Sequence, residues 1–101
     1  MKSLCKAREV LESLKKDKMN CKNSNRASSE SNHNEGWIES LEIILDLYDR
    51  NKEEVSNRRI LEYKVALDNR YKYDIDLYGK DATDGWLVGS IEAIEWFFEK
   101  D

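Results

Sequence analysis

The sequence predicts a single small α+β domain ordered helix, helix, β-hairpin, helix, with the helices packed on one face of a two-stranded antiparallel hairpin. Three observations predict it. Apolar residues recur at steps of three and four over residues 3–18, 35–51 and 84–99. Between the last two of these stretches the period drops to two, in "LEYKVAL" and again in "YKYDIDL". The chain has 101 residues, enough for one modest core, and no proline to break a helix.

The first helix rests on Leu4, Ala7, Leu11 and Leu14, a narrow stripe with Val10 beside it and Ser3 placed to cap the N-terminus. The stripe is also an a/d seam two heptads long. A homodimer through Leu4, Ala7, Leu11 and Leu14 is therefore one expected mode of association. Residues 20–35, "NCKNSNRASSESNHNE", lack any large aliphatic residue. They read either as a polar linker or as a backward extension of the second helix, since Asn and Ser compete for the backbone.

From Trp37 the pattern strengthens. Trp37, Ile38, Leu41, Ile44, Leu45 and Tyr48 share a wide face, as expected of a central helix. Strands follow over 60–67 and 71–78. Leu61, Tyr63, Val65 and Leu67 alternate with polar residues or Ala, and so do Tyr71, Tyr73, Ile75 and Leu77. A three-residue loop, Asp68 to Arg70, brings the two apolar faces together and sets Glu62 opposite Asp76, an unfavourable like-charge pair. The last helix buries Leu87, Ile91, Ile94 and Phe98 and sets Glu92, Glu95 and Glu99 on its other side. Trp96 lies among those acids, as an interface anchor does.

Two short phrases, "NEGWI" at 34–38 and "TDGWL" at 83–87, each open an apolar run. Asn34 and Thr83 stand where helix N-caps belong, and Glu35 and Asp84 would complement the helix dipole. Gly36 and Gly85 would let another backbone come close. Around the first phrase, "RASSESNHNEGWIESLEIIL" (26–45) resembles small accessory proteins of bacteriophages and mobile elements in which Gly-Trp-Ile-Glu-x-Leu-Glu opens a helix. Those proteins tend to carry an aromatic late in this helix, where this chain has Ile43 and Ile44. The resemblance brings no catalytic residues. It implies a protein that binds and blocks a host enzyme, of the anti-CRISPR or anti-restriction class.

The residues argue against catalysis. His33 is the one histidine and has no orienting partner in the sequence pattern. Cys5 and Cys21 match no zinc spacing and read as free thiols, and the four glycines form no phosphate loop. The expectation is no enzyme, no cofactor, no metal and no small-molecule substrate. No apolar run reaches the roughly 18 residues of a membrane span, and the N-terminus has no signal-peptide core. The expected place is therefore the cytoplasm of a bacterial host, with no membrane partner.

Charge points toward the partner. Residues 1–34 hold eight Lys/Arg against four Asp/Glu, and residues 35–101 hold nine against seventeen, so a net +4 arm precedes a net −8 body. An acidic body suits a basic surface. The expected partner is a host nuclease or CRISPR effector with a basic groove, met by Glu62, Asp74, Asp76, Asp81, Glu92, Glu95 and Glu99 around Trp96. Self-association through the first helix is the alternative. A third reading is single-stranded nucleic-acid binding, with Arg58 and Arg59 beside Tyr63, Tyr71, Tyr73 and Tyr78 as stacking residues.

Overall fold

A computed structural model describes residues 1–21, 29–79 and 85–99. Its regular structure is entirely helical: α1 (Leu4–Cys21), α2 (Ser29–Arg50), α3 (Glu53–Tyr78) and α4 (Gly85–Phe98). The expected α+β class is thus corrected to all-α, and the hairpin at 60–67 and 71–78 is one 26-residue helix.

The reason lies in the apolar spacing of α3. Every odd-numbered residue from 61 to 77 except Asn69 is apolar, and a period of two contains a period of four. On a helix the alternation therefore splits into two oblique rows. Tyr63, Leu67, Tyr71 and Ile75 form one row, which together with Ile60 turns toward the core. Leu61, Val65, Tyr73 and Leu77 form the other and remain 48–63% exposed. Lys64 reaches Asp68 at 2.8 Å, a helical i,i+4 ion pair. The Asp68 to Arg70 join is no loop. Glu62 and Asp76, expected face to face, lie fourteen residues apart on one helix, about 21 Å along its axis.

The two readings of this segment predict opposite mutant behaviour. Leu61→Lys should change stability by less than about 0.5 kcal/mol, as exposed substitutions do. Leu67→Lys, at a position 5% exposed, should cost several-fold more because it buries an unpaired charge. Urea denaturation of both variants checks this. Equal losses would restore the hairpin.

The helix ends follow ordinary rules. Ser3 Oγ accepts the Lys6 amide at 3.1 Å, capping α1 as expected. α2 starts at Ser29, so Asn34 and Glu35 sit inside the helix rather than at its cap. Thr83 and Asp84 lie outside the described residues. Asn51 and Lys52 join α2 to α3. Here Ser56 Oγ donates to the Leu47 carbonyl at 2.9 Å, and Tyr48 Oη bonds the Asn57 side chain. Glu53 and Glu54 complement the dipole of α3. Gly79 ends that helix with φ of +83°, a conformation that glycine adopts without a Cβ penalty.

α2 is the central helix. It makes its most extensive contact with α4 and also supports α1 and α3. Ile38, Leu41 and Ile44 meet Leu87, Ile91, Ile94 and Phe97, with Ala7 and Leu11 arriving from α1 and Ile60 and Leu67 from α3. Each such fully buried Leu, Ile or Phe contributes about 1.5–3 kcal/mol. The last helix buries Phe97 fully, while Phe98, expected in the stripe, is half-buried.

Small residues bring α2 and α4 together. A methyl added at Gly36 would strike the Trp86 carbonyl oxygen, and one at Gly89 the His33 carbonyl oxygen, both closer than real Cβ contacts allow. Ser40 Oγ donates to the Ser90 carbonyl at 3.2 Å, and Ser90 Oγ to the Gly36 carbonyl at 3.4 Å. The two phrases containing Gly-Trp therefore pack on each other, Gly36 of the first against Trp86 of the second.

Candidate protein-docking surfaces

The acids expected to form one face are distributed over two helices. Glu62 and Asp76 are exposed on α3, and Asp74 is half-buried there. Glu92 and Glu95 are exposed on α4, and Glu99 is exposed just past its end. Asp81 lies outside the described residues. Glu92 is held by His33 Nε2 at 2.5 Å and receives Trp37 Nε1 at 3.5 Å. Glu95 stands 3.6 Å from Lys64 Nζ. These two carboxylates therefore have internal partners, and His33, which had none in the sequence pattern, has Glu92.

Trp96 is half-buried rather than ringed only by acids. Its ring packs tilted on Trp37 at 5.8 Å between centroids, and the Lys2 ammonium lies 5.7 Å over it. Lys2 itself is 8% exposed, with its backbone amide donating to the Phe97 carbonyl at 2.8 Å. The N-terminal residues thus close over the end of α4. Trp86, the partner tryptophan of the second phrase, donates its indole N–H to Glu39.

The a/d seam of α1 is used within the chain. Ala7 is fully buried and Leu11 is 8% exposed, both in the common core, while Leu14 packs against that core and Leu4 remains 37% exposed. Of the stacking candidates, Tyr63 and Tyr71 pack against the core, and Tyr73 and Tyr78 are exposed. Five residues separate that last pair, about 140° around the helix, so they form no shared platform.

Two surfaces stand out that were not among the expected ones. Between α1 and α2 runs an open groove of about 600 Å³, floored by Leu11, Ile43 and Leu45 and walled by Glu42, Asp46 and Asp49, with Arg8 at its side. Glu42, Asp46 and Asp49 recur at steps of four and three, so the shared face was readable from the sequence. Residues 71–101 hold eight acids against three bases. α2 is as one-sided, with six Asp/Glu against Arg50 alone among its Lys/Arg. The second surface is the outer row of α3.

No family model, curated protein or solved structure matches the chain.

The chemistry of both surfaces is therefore read from the residues themselves. Among the described residues no group of three His, Cys, Asp or Glu could hold a metal ion. No helix is long and apolar enough to cross a membrane, again among the described residues. Cys5 is a free, exposed thiol.

Three titrations share one sign. Burial raises the Tyr48 phenol above its ordinary 10.0, with Glu53 adding to it, and burial likewise raises Tyr63, aided by Glu39. Lys64 rises above 10.5, chiefly through its hydrogen bond to Asp68. A group whose folded pKa is raised contributes stability that is complete below its unfolded pKa and is lost as pH rises through the folded value. Stability from these three groups should hold to about pH 10 and fall above it. Guanidinium titrations at stepped alkaline pH read this directly. A Tyr63→Phe, Lys64→Met variant should show a shallower fall.

Proposed function

We propose that the chain is a non-enzymatic protein-binding inhibitor that sets an acidic surface against the basic groove of a host nucleic-acid-targeting enzyme. The observation that carries this is the α1–α2 groove, where three carboxylates rise beside an apolar floor. Such a groove receives the aliphatic stem of an arginine or lysine while its acids meet the charged head. The resemblance of residues 26–45 to phage accessory proteins implies the same role, because small proteins of that kind often bind and block a host enzyme. The contact is centred on Glu42, Asp46 and Asp49. On α4, His33 and Lys64 engage Glu92 and Glu95; in the groove, Lys15 stands 4.0 Å from Glu42 and Arg50 3.0 Å from Asp46, exposed pairs that a partner's arginine or lysine would displace at little cost.

The test is cleavage by purified RNA-guided and restriction nucleases with and without the chain. Inhibition is expected at low salt and should weaken steeply as ionic strength rises. The triple variant Glu42→Lys, Asp46→Lys, Asp49→Lys should lose at least about tenfold in potency, roughly 1.4 kcal/mol, with its helical circular dichroism kept. Absence of inhibition across these nucleases overturns the proposal. So does inhibition that ignores both salt and the triple variant.

A further inference from the structure

The groove between α1 and α2 has two walls of opposite charge. On α2, Glu42, Asp46 and Asp49 are exposed. Their steps of four and three keep them within about 60° of one another around the helix and about 10.5 Å along it. Across from them α1 presents Arg8 and, two turns further on, Lys15, which stands 4.0 Å from Glu42. The floor between the walls includes buried Leu11 and half-buried Leu45.

Both walls are helices, which satisfy their own backbones and offer an extended chain no strand edge to pair with. A helix arrives with its backbone already bonded. Its own same-face steps, about 6.0 and 4.5 Å, match the row of acids. Same-face residues of a strand fall about 6.7 Å apart and overrun the row by about 3 Å. A nucleic-acid backbone would be repelled by the acidic wall. Resting on the inhibitory reading of this groove, we infer that its occupant is one α-helix of the partner. That helix carries Lys or Arg at steps of four and three toward α2, Asp or Glu toward α1, and apolar residues between. The basic row meets Glu42, Asp46 and Asp49, the acid meets Arg8, and the apolar residues settle on Leu11 and Leu45. The pairs that Glu42 and Asp46 make with Lys15 and Arg50 are exposed and cost little to exchange. Opposite charge on the two walls also fixes which way round the helix lies.

The test presents two displayed peptide libraries of about 15 residues to the full chain. In one a lactam bridge fixes the helix, since so short a helix is marginal in water. In the other a central proline prevents it. Enrichment is expected from the helical library alone, with Lys or Arg in steps of four and three, an apolar residue beside them and Asp or Glu beyond. Fluorescence anisotropy with a selected helix should show binding weakened at least about tenfold by Asp49→Lys. Selection against Arg8→Glu should exchange the Asp or Glu of the peptides for Lys or Arg. Both substitutions are at exposed positions, and retained helical circular dichroism verifies the fold. Enrichment of proline-containing peptides, of basic helices without that spacing, or of none overturns the inference. So does a selected helix indifferent to Asp49→Lys. Because the chain is tested alone, the two readings fail separately. Helix binding with no nuclease inhibited sinks the inhibitory reading only, and groove-dependent inhibition with no helix enriched sinks this inference only.

Discussion

Gly89→Ala should destabilise the protein by at least about 3 kcal/mol, the upper part of the range for overpacking a well-filled contact. The added methyl would press on the His33 carbonyl oxygen and carbon, which belong to the backbone of α2. A flexible side chain could swing aside, but here α2 and α4 must separate as rigid bodies. That separation would also stretch the Ser40 and Ser90 hydrogen bonds that tie the two helices. For a domain of this size the melting temperature should fall by more than about 12 °C. Gly79→Ala is the control. Nothing lies within 4 Å of a methyl there, so only the backbone conformation, φ +83° and ψ 164°, is penalised, at about 1–3 kcal/mol. Thermal melts of the two variants, read by circular dichroism, check the contrast. A Gly89→Ala protein that melts like Gly79→Ala would show that the helices are not so close.

Phe97→Ala should cost about 3–5 kcal/mol, as removal of a fully buried phenylalanine does. Phe97 is 0% exposed and makes aromatic contacts with Tyr48 at 5.8 Å and Phe98 at 5.4 Å. The cavity would open where α4 meets α2, beneath the closing N-terminal residues, whose Lys2 amide bonds the Phe97 carbonyl. Phe98→Ala, at a half-buried position, should cost clearly less. Chemical denaturation of both variants decides, and equal losses would place Phe98 in the core instead.

Those two phenylalanines are consecutive in the chain, and the periodicity of α4 assigns the buried place to the wrong one. At 100° per residue, Leu87, Ile91, Ile94 and Phe98 make a tidy stripe, but the closeness of α2 turns the helix toward Ala93 and Phe97, which are fully buried. The same neighbour brings Trp96 onto Trp37, whereas a single-helix reading leaves it among carboxylates. Helix contacts across space set which side of a broadly apolar helix is buried, and sequence spacing carries no record of them.

The sequence by itself determined the helical character of α1, α2 and α4, the Ser3 cap, and the central place of the helix that follows Trp37. It also left room for another backbone to come close at Gly36, and the Trp86 carbonyl does so. These are local properties, written in spacing and residue type. The state of residues 60–78 is different. Alternation is compatible both with a strand and with two four-residue rows on a helix, and local pattern weighs the two alike. Ile60, Tyr63, Leu67, Tyr71 and Ile75 did carry a helical stripe, and Lys64 with Asp68 a helical pair, but the odd-numbered run was the louder signal. Tertiary structure decided between them. A lone two-stranded hairpin cannot hold together in water without a covering layer, whereas a helix satisfies its own backbone and needs only one row buried against α2 and α4. The other row was left facing outward by the same choice.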